Sequence, residues 1–332
     1  MPFLTPFATY FELKPAIWTL LLGSFLLSCT PSRAADLGPA TRYLLTGQAD
    51  NAVAALKPSL AADPNNAEAH LLLCRVYYSE EMASTAVYEC QAALRTLSNS
   101  SSAQDWAGRA YGLQADKAGP VNGLRLAFKV RQAFETAVKL DPGNGEAVND
   151  LSEYYIDAPT IVGGGFDKAA KLAERSSVRL PQNAHRIRGL SAEHQKDFST
   201  AEREFRAATA VADRPDAWAD LGAFYGRRQE YDNAVEALRH AIAVDRAHDA
   251  SLVDAALSLG EIHREPRLAE RAFRDYLASD AMSDAAPAFR VHVALARLLR
   301  AQGREAEAKI EVQKALALAS GYAPARHELA GR

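Results

Sequence analysis

The chain has 332 residues, 48% hydrophobic and 8% aromatic, with a formal net charge of -3. The hydrophobic share is enough for a continuous core and excludes a disordered polymer. The charge is too small for an electrostatic nucleic-acid binder, and no acidic or basic tail stands out.

The first segment is distinct. Lys14 precedes an uncharged, mainly apolar run over residues 16–27. The run is too short to cross a bilayer, which takes about 20 residues, and suits the apolar part of an export signal. It ends in Leu26-Leu27-Ser28-Cys29, which resembles the bacterial lipobox. There a small residue precedes a cysteine that is lipidated and becomes the new N-terminus. The expectation is a signal peptide over 1–28, a lipid on Cys29 and a short linker over 29–35. Thr30 after the cysteine favours the outer membrane. The alternatives are cleavage after Ala34 or Ala35, giving a soluble periplasmic or secreted protein, and an uncleaved anchor.

From residue 34 small and large apolar residues recur at helical spacing, with turn residues between them. The first unit (34–66) has small Ala40, Ala52 and Ser59 and large Tyr43 and Leu56. Gly47 turns it, and Asp63-Pro64-Asn65 closes it. The second (67–100) has Leu73, Cys74, Tyr77, Ala86, Cys90 and Ala93. The third has Trp106, Ala110 and Leu113, then Val130, Phe134 and Ala137. Its connection is too long and carries Gly119-Pro120 and Gly123, which predicts a longer loop and an extended second helix. The fourth has Leu151, Ser152 and Tyr155, then Ala169, Ala173 and Ser176, around an expanded turn over 158–165. The fifth, from Gln182, has Gly189, Ala201, Phe205 and Ala208. The sixth starts at Pro215, with Trp218, Leu221, Gly222, Tyr225, Ala234, Leu238 and Ala241. The seventh, from Asp249, has Leu252, Ala255, Ala256, Leu259, Ala269 and Phe273. The eighth has Leu295, Ala296, Leu299, Gly303, Ala308, Val312 and Ala315.

The sixth unit sits at the offsets of the tetratricopeptide repeat, whose period is about 34 residues. Over residues 34–321 the chain is identified as a member of that superfamily. The resemblance implies an all-α, right-handed superhelix of about eight helix pairs over 36–322, with 323–332 as a truncated cap. It implies a groove that binds peptides, tails or helices of partner proteins, and no catalysis or cofactor.

Repeat phase places Glu68, Leu71, Arg75, Tyr78, Asn149, Glu153, Ile156, Arg186, Arg290, Arg297 and Arg300 along that groove. The arginines make its C-terminal end basic and suggest an acidic partner segment. Cys74 and Cys90 face each other across the second unit. In an oxidising compartment they suit a disulfide; as core positions they also suit two small buried hydrophobes. His70, His185, His194, His240, His248, His263, His292 and His327 are scattered, with no helical zinc spacing and no Cys-x-x-Cys, so no metal is expected. Gly163-Gly164-Gly165 lacks the strand before and the Lys-Ser/Thr after it that a phosphate loop needs, and reads as a flexible turn. Trp106 and Trp218 read as packing residues. No nucleophile elbow is present. The expected role is protein–protein interaction in the bacterial cell envelope as an adaptor, scaffold or assembly factor. The alternative is an accessory subunit of an envelope enzyme complex, binding glycan or a small ligand through the expanded turns.

Overall fold

The computed structural model describes residues 36–330, so the export segment and Cys29 lie outside the described residues. Among the described residues there are seventeen α-helices, one 3-10 turn and no strand. They form eight pairs: α1 (Gly38–Leu45) with α2 (Ala49–Ala62), α3 (Ala67–Ser79) with α4 (Ala83–Leu94), α5 (Ser101–Asp116) with α6 (Pro120–Leu140), and α7 (Gly145–Asp157) with α8 (Phe166–Ser176). There follow α9 (Pro181–His194) with α10 (Phe198–Ala212), α11 (Pro215–Arg227) with α12 (Tyr231–Val244), α13 (Ala250–Glu261) with α14 (Pro266–Leu277), and α15 (Ala288–Ala301) with α16 (Glu305–Leu318). A short α17 (Ala323–Leu329) ends the array.

Local chemistry sets the boundaries. Asn66, Ser100, Asn144 and Asp197 cap α3, α5, α7 and α10 by accepting from a backbone N–H three residues on, which satisfies donors that a helix start leaves free. Pro181, Pro215 and Pro266 stand in the first turn of α9, α11 and α14, where a missing N–H costs nothing. Within a pair, a small residue on the first helix admits a large one from the second. A Cβ on Gly222 would lie 2.5 Å from Leu238, and one on Gly108 would lie 2.4 Å from the Phe134 ring. In the second pair that position is filled by Cys74 and Cys90, joined as a disulfide with their Cα atoms 5.1 Å apart.

The third unit departs from expectation in one respect. Its extra residues lengthen both helices, α6 to 21 residues, and leave only Lys117, Ala118 and Gly119 between them. There is no longer loop. Gly119-Pro120 starts α6, because the proline pre-sets a helical φ at its first position, and Gly123 is helical.

The array also meets itself. One apolar core joins Ala40, Leu44 and Leu56 of the first unit to Phe273, Phe289 and Tyr322 near the other end. Gly47, at φ 67, packs so tightly that a Cβ there would lie 2.3 Å from the backbone nitrogen of Ala288. Arg75 donates to Asp284 at 2.7 Å, Arg290 donates to the Ser79 carbonyl at 2.7 Å, and the Ser320 N–H donates to Asp50 at 2.9 Å. The turns leaving the first helices of units one and two therefore sit on the segments entering the last units. An open array would leave that apolar surface in water, and the seam removes it.

Candidate protein-docking face

Successive first helices touch one another, from α3 through α5, α7, α9, α11 and α13 to α15, while successive second helices make no comparable contact. The first helices therefore form the inner wall of the curved array and the second helices the outer. Side chains one repeat apart meet on that wall. Asn183 donates to Asn149 at 3.0 Å, Gln182 to Asp216 at 2.8 Å, and Arg186 to Asp220 at 2.9 Å and Glu153 at 2.8 Å. Arg227 grips Glu193 through two hydrogen bonds, 2.7 and 2.8 Å long. Arg109 holds Asp150 at 2.5 Å, Glu146 at 3.1 Å and Asp105 at 3.2 Å. Trp106 lies between two guanidinium groups, Arg75 at 5.3 Å and Arg109 at 4.6 Å from its ring centre, with Tyr78 edge-on at 5.5 Å. Trp106 is thus more than packing: it ties the second and third units to the seam.

Two adjoining hollows open on this wall. One, of about 440 Å³, is lined by residues of α3, α5, α6 and α7 including Tyr78, Arg109, Asp116, Asp150 and Asp157. The other, of about 280 Å³, lies among α7, α9 and α11 and includes Glu193, His194 and Arg227. Both share Glu153 and Asp157. Carboxylates outnumber guanidinium groups in this lining. Burial pushes the Asp105 carboxyl up to about 7 against the pull of Arg109. Asp254, on the wall at α13, is raised to about 6 by enclosure first and then by Asp220 and Asp249. Carboxylates this crowded favour an incoming cation or hydrogen-bond donor.

The phase-derived groove residues divide. Glu153 and Arg186 pair across repeats, Asn149 accepts from Asn183 of the next repeat, and Arg75 and Tyr78 join through Trp106. Glu68 is exposed. Leu71 and Ile156 are core residues, 8% and 7% exposed, because their helical phase turns them toward the neighbouring helix. Arg290 is spent on the Ser79 and Tyr78 carbonyls. Arg297 and Arg300 both hold Glu328 of α17, and Arg300 also takes Glu305. The expected basic end of the groove is therefore neutralised from within, and most carboxylates of the hollows are likewise paired, Asp150 with Arg109, Glu153 with Arg186 and Glu193 with Arg227. The charges that suggested an acidic partner segment are thus taken up within the chain.

Sequence reasoning also missed an order among the histidines. Nδ1 of His70, His185 and His292 lies 2.5, 2.8 and 2.6 Å from Glu89, Glu204 and Glu311. Each pair bridges the two helices of one unit at a separation of 19 residues. That spacing was present in the sequence and detectable as a repeated His-to-Glu offset. Burial acts to raise Glu311, yet the hydrogen bonds from His292 and Lys314 prevail and hold it at about 2.

The expanded turn of the fourth unit is packed rather than loose. It holds a 3-10 turn, Thr160–Val162, followed by Gly163 at φ 95 and Gly165 at φ 149. A Cβ on Gly164 would lie 1.8 Å from the Ala158 carbonyl oxygen. The Tyr154 hydroxyl sits 2.9 Å from the carbonyls of both Ala127 and Val162, and Lys168 donates to the Gly163 carbonyl at 2.7 Å. The glycines serve close backbone approach. No group of three or more metal-ligating side chains occurs among the described residues.

Helix pairs stacked by their first helices, with glycine or alanine at the pair contact, define an all-α repeat solenoid of the interaction type. Residues 43–105 and 215–248 each match a model of the tetratricopeptide repeat, so the chain carries tetratricopeptide repeats. No curated protein matches it. Among solved structures, a tetratricopeptide repeat protein from Parabacteroides merdae ATCC 43184 is similar at 12% identity and TM-score 0.44, over 88% of this chain and 94% of that one. The MamA protein is similar at 21% identity and TM-score 0.39, over 58% and 96%. The APC/C hetero-tetramer Cut9-Hcn1 is similar at 14% identity and TM-score 0.39, over 88% of this chain and 54% of the other, so this chain spans about half the length of that one.

Proposed function

We propose that this protein is a non-catalytic docking scaffold of the bacterial cell envelope, exported and held there by a lipid on Cys29. Its inner wall receives a segment of a partner protein that carries basic or hydrogen-bond-donating groups. The observation that carries this reading is the pair of adjoining hollows around Glu153 and Asp157, with more carboxylates than guanidinium groups. A rigid wall of first helices gives such a segment a pre-organised site, which lowers the entropy cost of binding. Among the described residues of that wall no hydroxyl or thiol hydrogen-bonds to a histidine side chain, which favours a scaffold over an enzyme. Export is carried by the run over 16–27 and by Leu26-Leu27-Ser28-Cys29.

Site-specific photocrosslinking in intact envelopes tests the docking face. A crosslinker at Asp157 on the inner wall should capture a discrete adduct that is lost when Glu153 is changed to Lys. A crosslinker at exposed Glu174 on α8, in the outer layer, should not capture it. Identical adducts from both positions would overturn the assignment. The intact mass of the membrane-extracted protein tests the anchor: a lipid-free N-terminus at Ala35 or Asp36 would remove it while keeping export.

A further inference from the structure

The third and fourth units carry the two insertions of the array, and the structure brings them together. The lengthened α6 receives the 3-10 turn of the expanded segment along its side. The Tyr154 hydroxyl spans the carbonyls of Ala127 and Val162, and Arg131 packs against Gly163. The inward stripe of α6 is Leu126, Val130 and Phe134, all buried. A second stripe, Val121, Leu124 and Phe128, runs along the other side at spacings of three and four residues and faces water. Val121 is 84% exposed, and Ile161 of the adjoining 3-10 turn is 76% exposed. A surface helix of a soluble repeat protein has one apolar stripe, so the second lacks a partner.

Its charge surroundings single out what covers it. Between Asp116 and Glu135, the latter 3.9 Å from Arg131, the segment carries Lys117, Arg125, Lys129 and Arg131 and no acidic residue, in a chain of net charge -3. Arg125 is exposed, and among the described residues no acidic side chain lies in hydrogen-bonding or ion-pair reach of it. The apolar side chains stand near the end of the α5–α6 hairpin, whose other side rests on the start of the second unit's second helix through Gln114 to Ser84 and Lys117 to the Glu81 carbonyl. A Cβ on Gly119 at its tip would meet no atom within 4 Å. Exposed apolar side chains on a helix with cations beside them suit the interface of a bilayer with anionic headgroups. We infer that the end of the α5–α6 hairpin, with Ile161 beside it, is a membrane-surface contact. Val121, Leu124 and Phe128 enter the headgroup layer, and Arg125 and Lys129 hold anionic lipid. The contact is separate from the inner wall and does not depend on a lipid at Cys29.

The test uses the chain from Asp36 onward, which carries a closed core of its own and whose two cysteines are the Cys74–Cys90 pair. A single cysteine introduced at Val121 takes an environment-sensitive fluorophore; the control takes it at Val178, which is 94% exposed in another part of the chain. With vesicles rich in phosphatidylglycerol the probe at 121 should shift to the blue and the probe at 178 should not. In unlabelled protein, V121D/F128D should lower vesicle partitioning on the order of tenfold with unchanged helicity. R125E and added salt should each lower it as well. Absence of binding to anionic vesicles, equal partitioning of wild type and V121D/F128D, or equal shifts at 121 and 178 would each overturn the inference. Equal binding to phosphatidylcholine vesicles would overturn its electrostatic half.

Discussion

The Nε of Arg75 donates to the carboxylate of Asp284 at 2.7 Å, although 209 residues separate them in the chain. Asp284 is 8% exposed at its side chain and Arg75 21%, and the same guanidinium lies over Trp106. The pair closes the array and ties its seam to the inner wall. Asp284→Ala strands a partly buried cation and should destabilise the protein by roughly 2 kcal/mol. A double-mutant cycle with Arg75→Met, read by urea denaturation, should show coupling of about 1 kcal/mol. Additive effects would mean that the seam is not closed in solution.

The seam should respond to pH. Glu80 is 6% exposed, and burial first, then Asp50, pushes its carboxyl up to about 7. A raised folded-state pKa means that its contribution to stability is fully present below about 4.3, the unfolded value. It is lost as pH rises through about 7. Asp105, also held at about 7, acts in the same direction. Denaturation midpoints of the wild type should therefore fall between pH 5 and pH 8. Glu80→Gln should flatten that slope and gain roughly 1–2 kcal/mol at pH 8 relative to wild type. Parallel pH profiles for the two proteins would exclude Glu80 as a titrating group of the seam.

Reduction should loosen the second unit. The disulfide between Cys74 and Cys90 closes a loop with a sequence separation of 16, for which chain entropy gives about 3 kcal/mol. Thiol titration of the denatured, unreduced protein should find neither cysteine free, and reductant should lower the melting temperature. Two titratable thiols would show that the pair is open in that sample.

Packing at the pair contacts is open to the same kind of measurement. Ala234 is fully buried between α11 and α12, so Ala234→Leu should cost roughly 1–3 kcal/mol by overpacking. Gly164→Ala drives a methyl into the Ala158 carbonyl and should cost about as much, with loss confined to the fourth unit in hydrogen exchange. An unchanged midpoint in either variant would contradict the packing described for that site.

Glu328 anchors α17 through Arg297 and Arg300. Reversing both arginines should therefore release α17 and lower stability by about 1 kcal/mol, while leaving capture at the inner wall unchanged. Loss of capture with α17 still protected from exchange would return those arginines to the docking face.

Architecture was legible locally because each helix pair is a short-range object. Gly222 against Leu238 and the Asp63-Pro64-Asn65 stop both depend on residues within one unit, and period and turn chemistry expose them. The function class followed from the same repeat. The groove list was less successful, since phase says which way a side chain points from its own helix but not what arrives opposite it. Arg290, Arg297 and Arg300 look like free cations in the sequence. Only the return of the first units and the docking of α17 reveal their partners.

The sequence by itself determined eight helix pairs, their order, and the small residues that let them pack, because those features rest on backbone propensity and nearest-neighbour sterics. Tertiary structure decided the closure, the pairing of charges along the inner wall, the meeting of the two insertions, and the partner of every groove arginine. Those outcomes depend on small rotations between units summed around the whole array, and no single repeat encodes the sum.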